Sequence, residues 1–200
     1  IAILCNTAHL YLNELKLAFS HVHFIDMIEI TVQYILSATA KTAKGNGGEN
    51  SRLTVGLLTT KGVIQSRLYH NTIDRVSNGT IDVVLPLEQE TIDGIHDCIY
   101  SIIGGKNVFD LSLSKQQQEE EKQRNVDCVS YICQTIEQMK KREHGTMRAI
   151  VFGCTDLSDL ISTTDGIMEP YGISSNELLV VDPLEVLTTH IIELHNNKSS

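Results

Sequence analysis

Short, mostly β-branched apolar runs alternate along this chain with longer stretches of helical periodicity, and that alternation restricts the fold more than any other feature. Residues 1–4 (IAIL), 53–58 (LTVGLL), 82–85 (DVVL), 148–152 (RAIVF) and 178–181 (LLVV) each read as a strand. Between them, apolar residues fall at helical spacing. Leu10, Leu12, Leu15 and Ala18 mark a helix over 7–20, and Ile92, Ile95 and Ile99 mark one over 87–103 that Gly104-Gly105 closes. Further helices are expected over 28–40, 63–70, 126–141 and 184–195, with another starting at Asp156; a short apolar run at 21–25 precedes the second helix, and 59–62 reads as a turn. Strands alternating with helices imply an α/β fold with a parallel sheet and right-handed crossovers. In such sheets ligands gather at the carboxyl ends of the strands.

The polar segments sit between these elements. Residues 41–52 (KTAKGNGGENSR) read as a surface loop, and 106–124, containing KQQQEEEKQR, as a solvated helical extension or a disordered insertion. Asn78-Gly79 reads as a turn rather than a glycosylation site, and the sequon at 197–199 as chance. A chain of 200 residues with 42% hydrophobic and 20% charged positions is globular, either one domain or two small lobes. With 16 Lys and Arg against 25 Asp and Glu, the net charge of −9 argues against nucleic acid as a partner. No apolar run is long enough to span a membrane.

Chemistry is most legible at two strand ends. Ile-Ala-Ile-Leu-Cys-Asn-Thr-Ala-His (1–9) and Ala-Ile-Val-Phe-Gly-Cys-Thr-Asp-Leu (149–157) each deliver a cysteine, then an amide or hydroxyl, at the start of a helix. The N–H groups and positive dipole end at such a place are expected to lower a thiol pKa from about 8.5 and to bind carboxylates. Two thiols facing a small carboxylate suit inversion of an amino-acid α-carbon, since a thiolate takes the proton from one face and a thiol returns one to the other. That reaction requires no cofactor. Cys98, Cys128 and Cys133 lie inside helical patterns and read as ordinary buried thiols. All five cysteines read as reduced, in a cytoplasmic setting, and none has the paired spacing of a metal site.

Four motifs carry a resemblance: CNTAH (5–9), GLLTTKG (56–62) followed by Ser66 and Tyr69, GCTDL (153–157) and VDPLEVL (181–187). Their order resembles that of the aspartate/glutamate racemase family. The resemblance implies two pseudo-symmetric lobes with parallel sheets flanked by helices, and an active site in the cleft between them. Residues 1–30 and 182–200 would belong to the first lobe and 31–181 to the second, with insertions near 41–52 and 106–124. It implies racemization of aspartate, or alternatively glutamate, without pyridoxal phosphate. Cys5 and Cys154 would be the acid/base pair, and Asn6, Thr7, Thr60 and Thr155 would bind the substrate. His9 belongs to the first motif but stays outside the catalytic set. Asp156 stands where the family usually has Glu, and Val63 where Thr is commoner. The small-molecule substrate would be the main partner, and a homodimer the assembly. Family members carry a further βαβ segment ahead of the first motif, so the chain reads as lacking part of its first lobe. On that ground the competing expectation is a catalytically inert racemase-like paralogue or fragment acting as a binding module.

Overall fold

A computed structural model describes residues 1–42, 52–104, 114–157 and 178–198. After a 3-10 helix, Thr7–Tyr11, come helices α1 (Leu12–Ala18) and α2 (Met27–Thr42). Strand β1 (Leu53–Leu58), helices α3 (Lys61–Gln65) and α4 (Leu68–Ser77), strand β2 (Ile81–Val84) and helix α5 (Gln89–Gly104) follow. Helix α6 (Lys115–Arg142), strands β3 (Met147–Phe152) and β4 (Leu179–Val181) and helix α7 (Pro183–Lys198) complete the order.

The expected α/β architecture is present. The four strands form one sheet in the order β2-β1-β3-β4, and every neighbouring pair is parallel. Successive side chains point to opposite faces of a strand, and both faces here are buried. Val55, Leu57, Ala149 and Val151 pack on one face with Ile28, Val32 and Ile35 of α2, Tyr69 and Ile73 of α4, and Val186 of α7. Leu58, Ile150 and Phe152 pack on the other with Ile95 and Ile99 of α5 and Val129, Ile132, Ile136 and Met139 of α6. The chain passes from β1 outward to β2, then returns to lay β3 on the opposite side of β1. The strand order therefore reverses between β1 and β3, which opens a crevice at their carboxyl ends.

Several boundaries differ from the sequence expectations, each for a local reason. Residues 1–4 do not form a strand; Ala2 makes only an isolated parallel bridge to Ile25, and Ile1 and Leu4 are exposed. The single helix expected over 7–20 is a 3-10 turn followed by α1. The helix expected over 63–70 is broken at Arg67, whose φ of 55° is left-handed and which separates α3 from α4. Asn78 and Gly79 both take positive φ, as the expected turn demands. At α6, Ser114 and Gln117 form a reciprocal capping box, and the polar stretch from Lys115 to Arg124 is helix. The first part of that insertion, most of the loop expected over 41–52 and most of the segment after Asp156 lie outside the described residues. No described helix is long and apolar enough to cross a membrane.

Candidate active site at the reversal between β1 and β3

The two strand ends at the crevice are tied together. The Gly153 N–H donates to the Leu58 carbonyl at 2.7 Å, and the Thr59 hydroxyl donates to the Gly153 carbonyl at 2.5 Å. A side chain has no room at position 153, because a Cβ there would lie 2.9 Å from Leu57 Cδ1 and 3.1 Å from Thr59 Cβ. Gly153→Ala should therefore cost about 1–3 kcal/mol and displace Cys154 with the strand end. Urea unfolding together with an activity assay tests this, and an unchanged midpoint and rate would show that the close approach is dispensable.

Cys154 follows directly and is 8% exposed. Its thiol donates to Asp156 Oδ2 at 3.2 Å, so the shorter carboxylate at this position still reaches the sulfur. Burial pushes the Cys154 thiol up to about 12, and the charges of Asp156 and Cys5 push the same way; the Asp156 main-chain N–H favours the thiolate but is outweighed. This corrects the expectation that a helix start would lower the pKa. Losing water costs the thiolate more than a helix start returns.

Cys5 is exposed. Its main chain is held by His9, which is 4% exposed: Nδ1 lies 2.8 Å from the Cys5 carbonyl, and Nε2 accepts the Met27 N–H at 3.2 Å. Accepting at Nε2 leaves the proton on Nδ1, which donates to Cys5. The ring is thus engaged at both nitrogens with main chain, and it ties the Cys5 segment to the start of α2. Asp26 Oδ1 caps that helix by accepting from the Ile28 and Glu29 N–H groups, each at 3.1 Å.

Between the cysteine segments stands Tyr69 of α4, fully buried, whose hydroxyl donates to Asn6 Oδ1 at 2.5 Å. Asn6 is 2% exposed, and its Nδ2 is buried without a partner. Such an orphan donor costs about 1–3 kcal/mol until an acceptor meets it. Burial, then the charges of Asp182, Cys154 and Asp26, hold the Tyr69 phenol well above its ordinary range, so it keeps its proton. Asp182 Oδ1 accepts from the Leu184 N–H at 2.8 Å and caps α7.

Of the residues singled out from sequence, Cys5, Asn6 and Cys154 thus lie in one electrostatic neighbourhood. Thr7 opens the 3-10 helix and is exposed, and Thr155 is partly buried beside Cys154. Thr60 takes extended backbone ahead of α3 and makes no capping hydrogen bond. Sequence reasoning missed Asp26, and carried Thr59, Tyr69 and Asp182 only as members of motifs, with no role. The two aspartates carried a usable signal, since each stands just before a helix as an N-cap does. Among the described residues, no group of three or more His, Cys, Asp or Glu side chains is placed to hold a metal ion.

The other thiols lie elsewhere. Cys98 on α5 is half-buried, not fully buried as expected, and its thiol lies close to that of Cys128 on α6. This contact lies one turn from Gly94, whose missing side chain leaves room for the Tyr131 ring. Cys133 is fully buried, which pushes its thiol up to about 11. A thiol that holds its proton longer when folded stabilises fully below its unfolded pKa and loses that contribution as pH rises toward the folded value. Thermal stability should therefore fall between about pH 9 and about pH 11, by about 1.4 kcal/mol per pH unit for each of Cys133 and Cys154. Calorimetry checks the slope, and Cys133→Val should reduce it; a melting temperature that stays flat across that window would contradict the assignment.

A protein-family profile described as Asp/Glu/Hydantoin racemase matches residues 1–191. A search of curated proteins finds no match.

Proposed function

Because this chain belongs to the Asp/Glu/Hydantoin racemase family, we propose that it inverts the α-carbon of an acidic amino acid, aspartate or alternatively glutamate, using Cys5 and Cys154 as two bases without pyridoxal phosphate. One observation carries the reading: Cys5 lies near enough for its charge to oppose ionisation of Cys154, although the two residues are far apart in sequence. The exposed thiol and the buried one complement each other. Cys154, held protonated by burial, is the proton donor, and the exposed Cys5 is the base.

In the proposed reaction the Cys5 thiolate takes the α-proton from one face of the bound amino acid. Negative charge spreads onto the substrate carboxylate, and the Cys154 S–H protonates the α-carbon from the opposite face. The products are the mirror-image amino acid, a Cys5 thiol and a Cys154 thiolate. The opposite enantiomer uses the same steps in reverse. The charge that develops on the carboxylate calls for fixed donors. Asn6, Thr7, Thr60 and Thr155 are proposed to supply them, and the unpartnered Asn6 Nδ2 supports that role. The Asp156 carboxylate, hydrogen-bonded to Cys154 Sγ, holds the thiol in place.

The test is exchange of the α-proton in heavy water, followed by NMR for both enantiomers of aspartate and of glutamate. Loss of the α-proton signal, accompanied by appearance of the other enantiomer, supports the racemase. No exchange with any of the four would favour an inert binding module.

A further inference from the structure

We propose that Tyr69 is a positioning residue that orients the Asn6 amide toward the substrate, and thereby sets how tightly the site holds a carboxylate. The inference rests on the racemase reading but concerns a residue that takes no part in moving the proton. A carboxamide is planar, with an acceptor on one side and two donors on the other. With Oδ1 anchored by the Tyr69 hydroxyl, the donor end can point only away from Tyr69. That end is the atom left without a partner in a side chain 2% exposed.

The nearby carboxylates do not compete for it. Asp26 Oδ1 accepts from the first turn of α2, and Asp182 Oδ1 accepts from the first turn of α7. Burial, with their negative charges pushing the same way, keeps Tyr69 protonated, so the phenol is a donor throughout the neutral range and the amide has one favoured orientation. A flipped amide would turn Oδ1 toward the substrate carboxylate, where two acceptors repel. Tyr69 is also a structural link, because it carries α4 of the sheet domain against the segment that bears Cys5. Its hydroxyl, unlike its ring, is free to be removed without opening a cavity.

Tyr69→Phe deletes only that hydroxyl. The expected result is a rise in KM for the acidic amino acid of about tenfold or more, with a smaller change in kcat and an intact far-UV spectrum. In an Asn6→Ala background the same change should have little further effect on KM, because the hydroxyl acts through the amide. An unchanged KM in a folded Tyr69→Phe protein overturns the inference while leaving the racemase reading standing. A wild-type protein that neither binds nor turns over aspartate or glutamate overturns both. Should Tyr69→Phe fail to fold, the Asn6 side-chain amide of the wild type remains observable by 15N NMR. Its two protons should shift when L-aspartate is added, and a resonance unmoved at saturating ligand overturns the inference.

Discussion

Cys154→Ser should lower racemization by about 10³-fold while leaving the protein folded, and Cys5→Ser should do the same. A serine hydroxyl does not ionise in the accessible pH range, so it serves neither as base nor as a thiol-strength acid. The fold has little reason to object at position 5, where the side chain is exposed, or at 154, where Asp156 can accept from a hydroxyl as it does from the thiol. The loss should be symmetric. In a two-base reaction every turnover uses both thiols whichever enantiomer enters, so removing one blocks both directions. Rates from L- and D-substrate, measured by polarimetry or chiral separation, check this. Full activity in either variant would sink the two-base assignment, and loss confined to one direction would contradict the thermodynamics of a reaction with an equilibrium constant near one.

Ile150→Ala should be the most damaging change to stability, at about 3 kcal/mol, corresponding to a drop in melting temperature of about 10 °C. Ile150 lies on β3, which pairs with both β1 and β4, and its side chain is fully buried against the α5–α6 layer. Its Cδ1 also occupies the space that Gly56 leaves open on β1, where an added Cβ would come within 2.5 Å of it. Shortening Ile150 leaves a cavity, while Gly56→Ala alone forces an overlap. Combined, the two changes should cost less than their sum by about 1 kcal/mol, which a double-mutant cycle measures. Strict additivity would mean that the two positions do not share that space.

The regular part of the fold was legible because each signal was local. In β1, Val55 and Leu57 lie on one face and Leu58 on the other, and an apolar run covered on both sides declares itself without knowledge of its partners. The same reasoning failed at residues 1–4. That run is as apolar as the others, yet it makes only the Ala2–Ile25 bridge, since a strand exists only where another pairs with it. The break at Arg67 was equally hidden. A left-handed arginine carries no compositional mark, and it is this turn that directs α4, and Tyr69 with it, into the core.

The site divides along the same line. Cys5 and Cys154 stood out because each follows an apolar run and precedes a polar helix start, which is a pattern in neighbouring residues. The Tyr69–Asn6 contact spans 63 positions and the Thr59–Gly153 contact 94, and nothing beside either residue announces its partner. The direction of the Cys154 pKa shift is hidden in the sequence for the same reason. The helix-start effect belongs to adjacent residues, whereas burial is imposed by the core as a whole.

By itself, then, the order of residues determined the class of fold and the parallel sheet and singled out two candidate thiols, because strand, helix and turn preferences act over a few residues. Only the tertiary structure decided which strands sit side by side, where the order reverses, and which hydrogen bonds cross the crevice. It also decided that one thiol lies open to water while the other is buried. These are properties of groups distant in the chain, and the energies that govern them, desolvation and charge interaction, depend on what surrounds a residue in space rather than on what adjoins it in sequence.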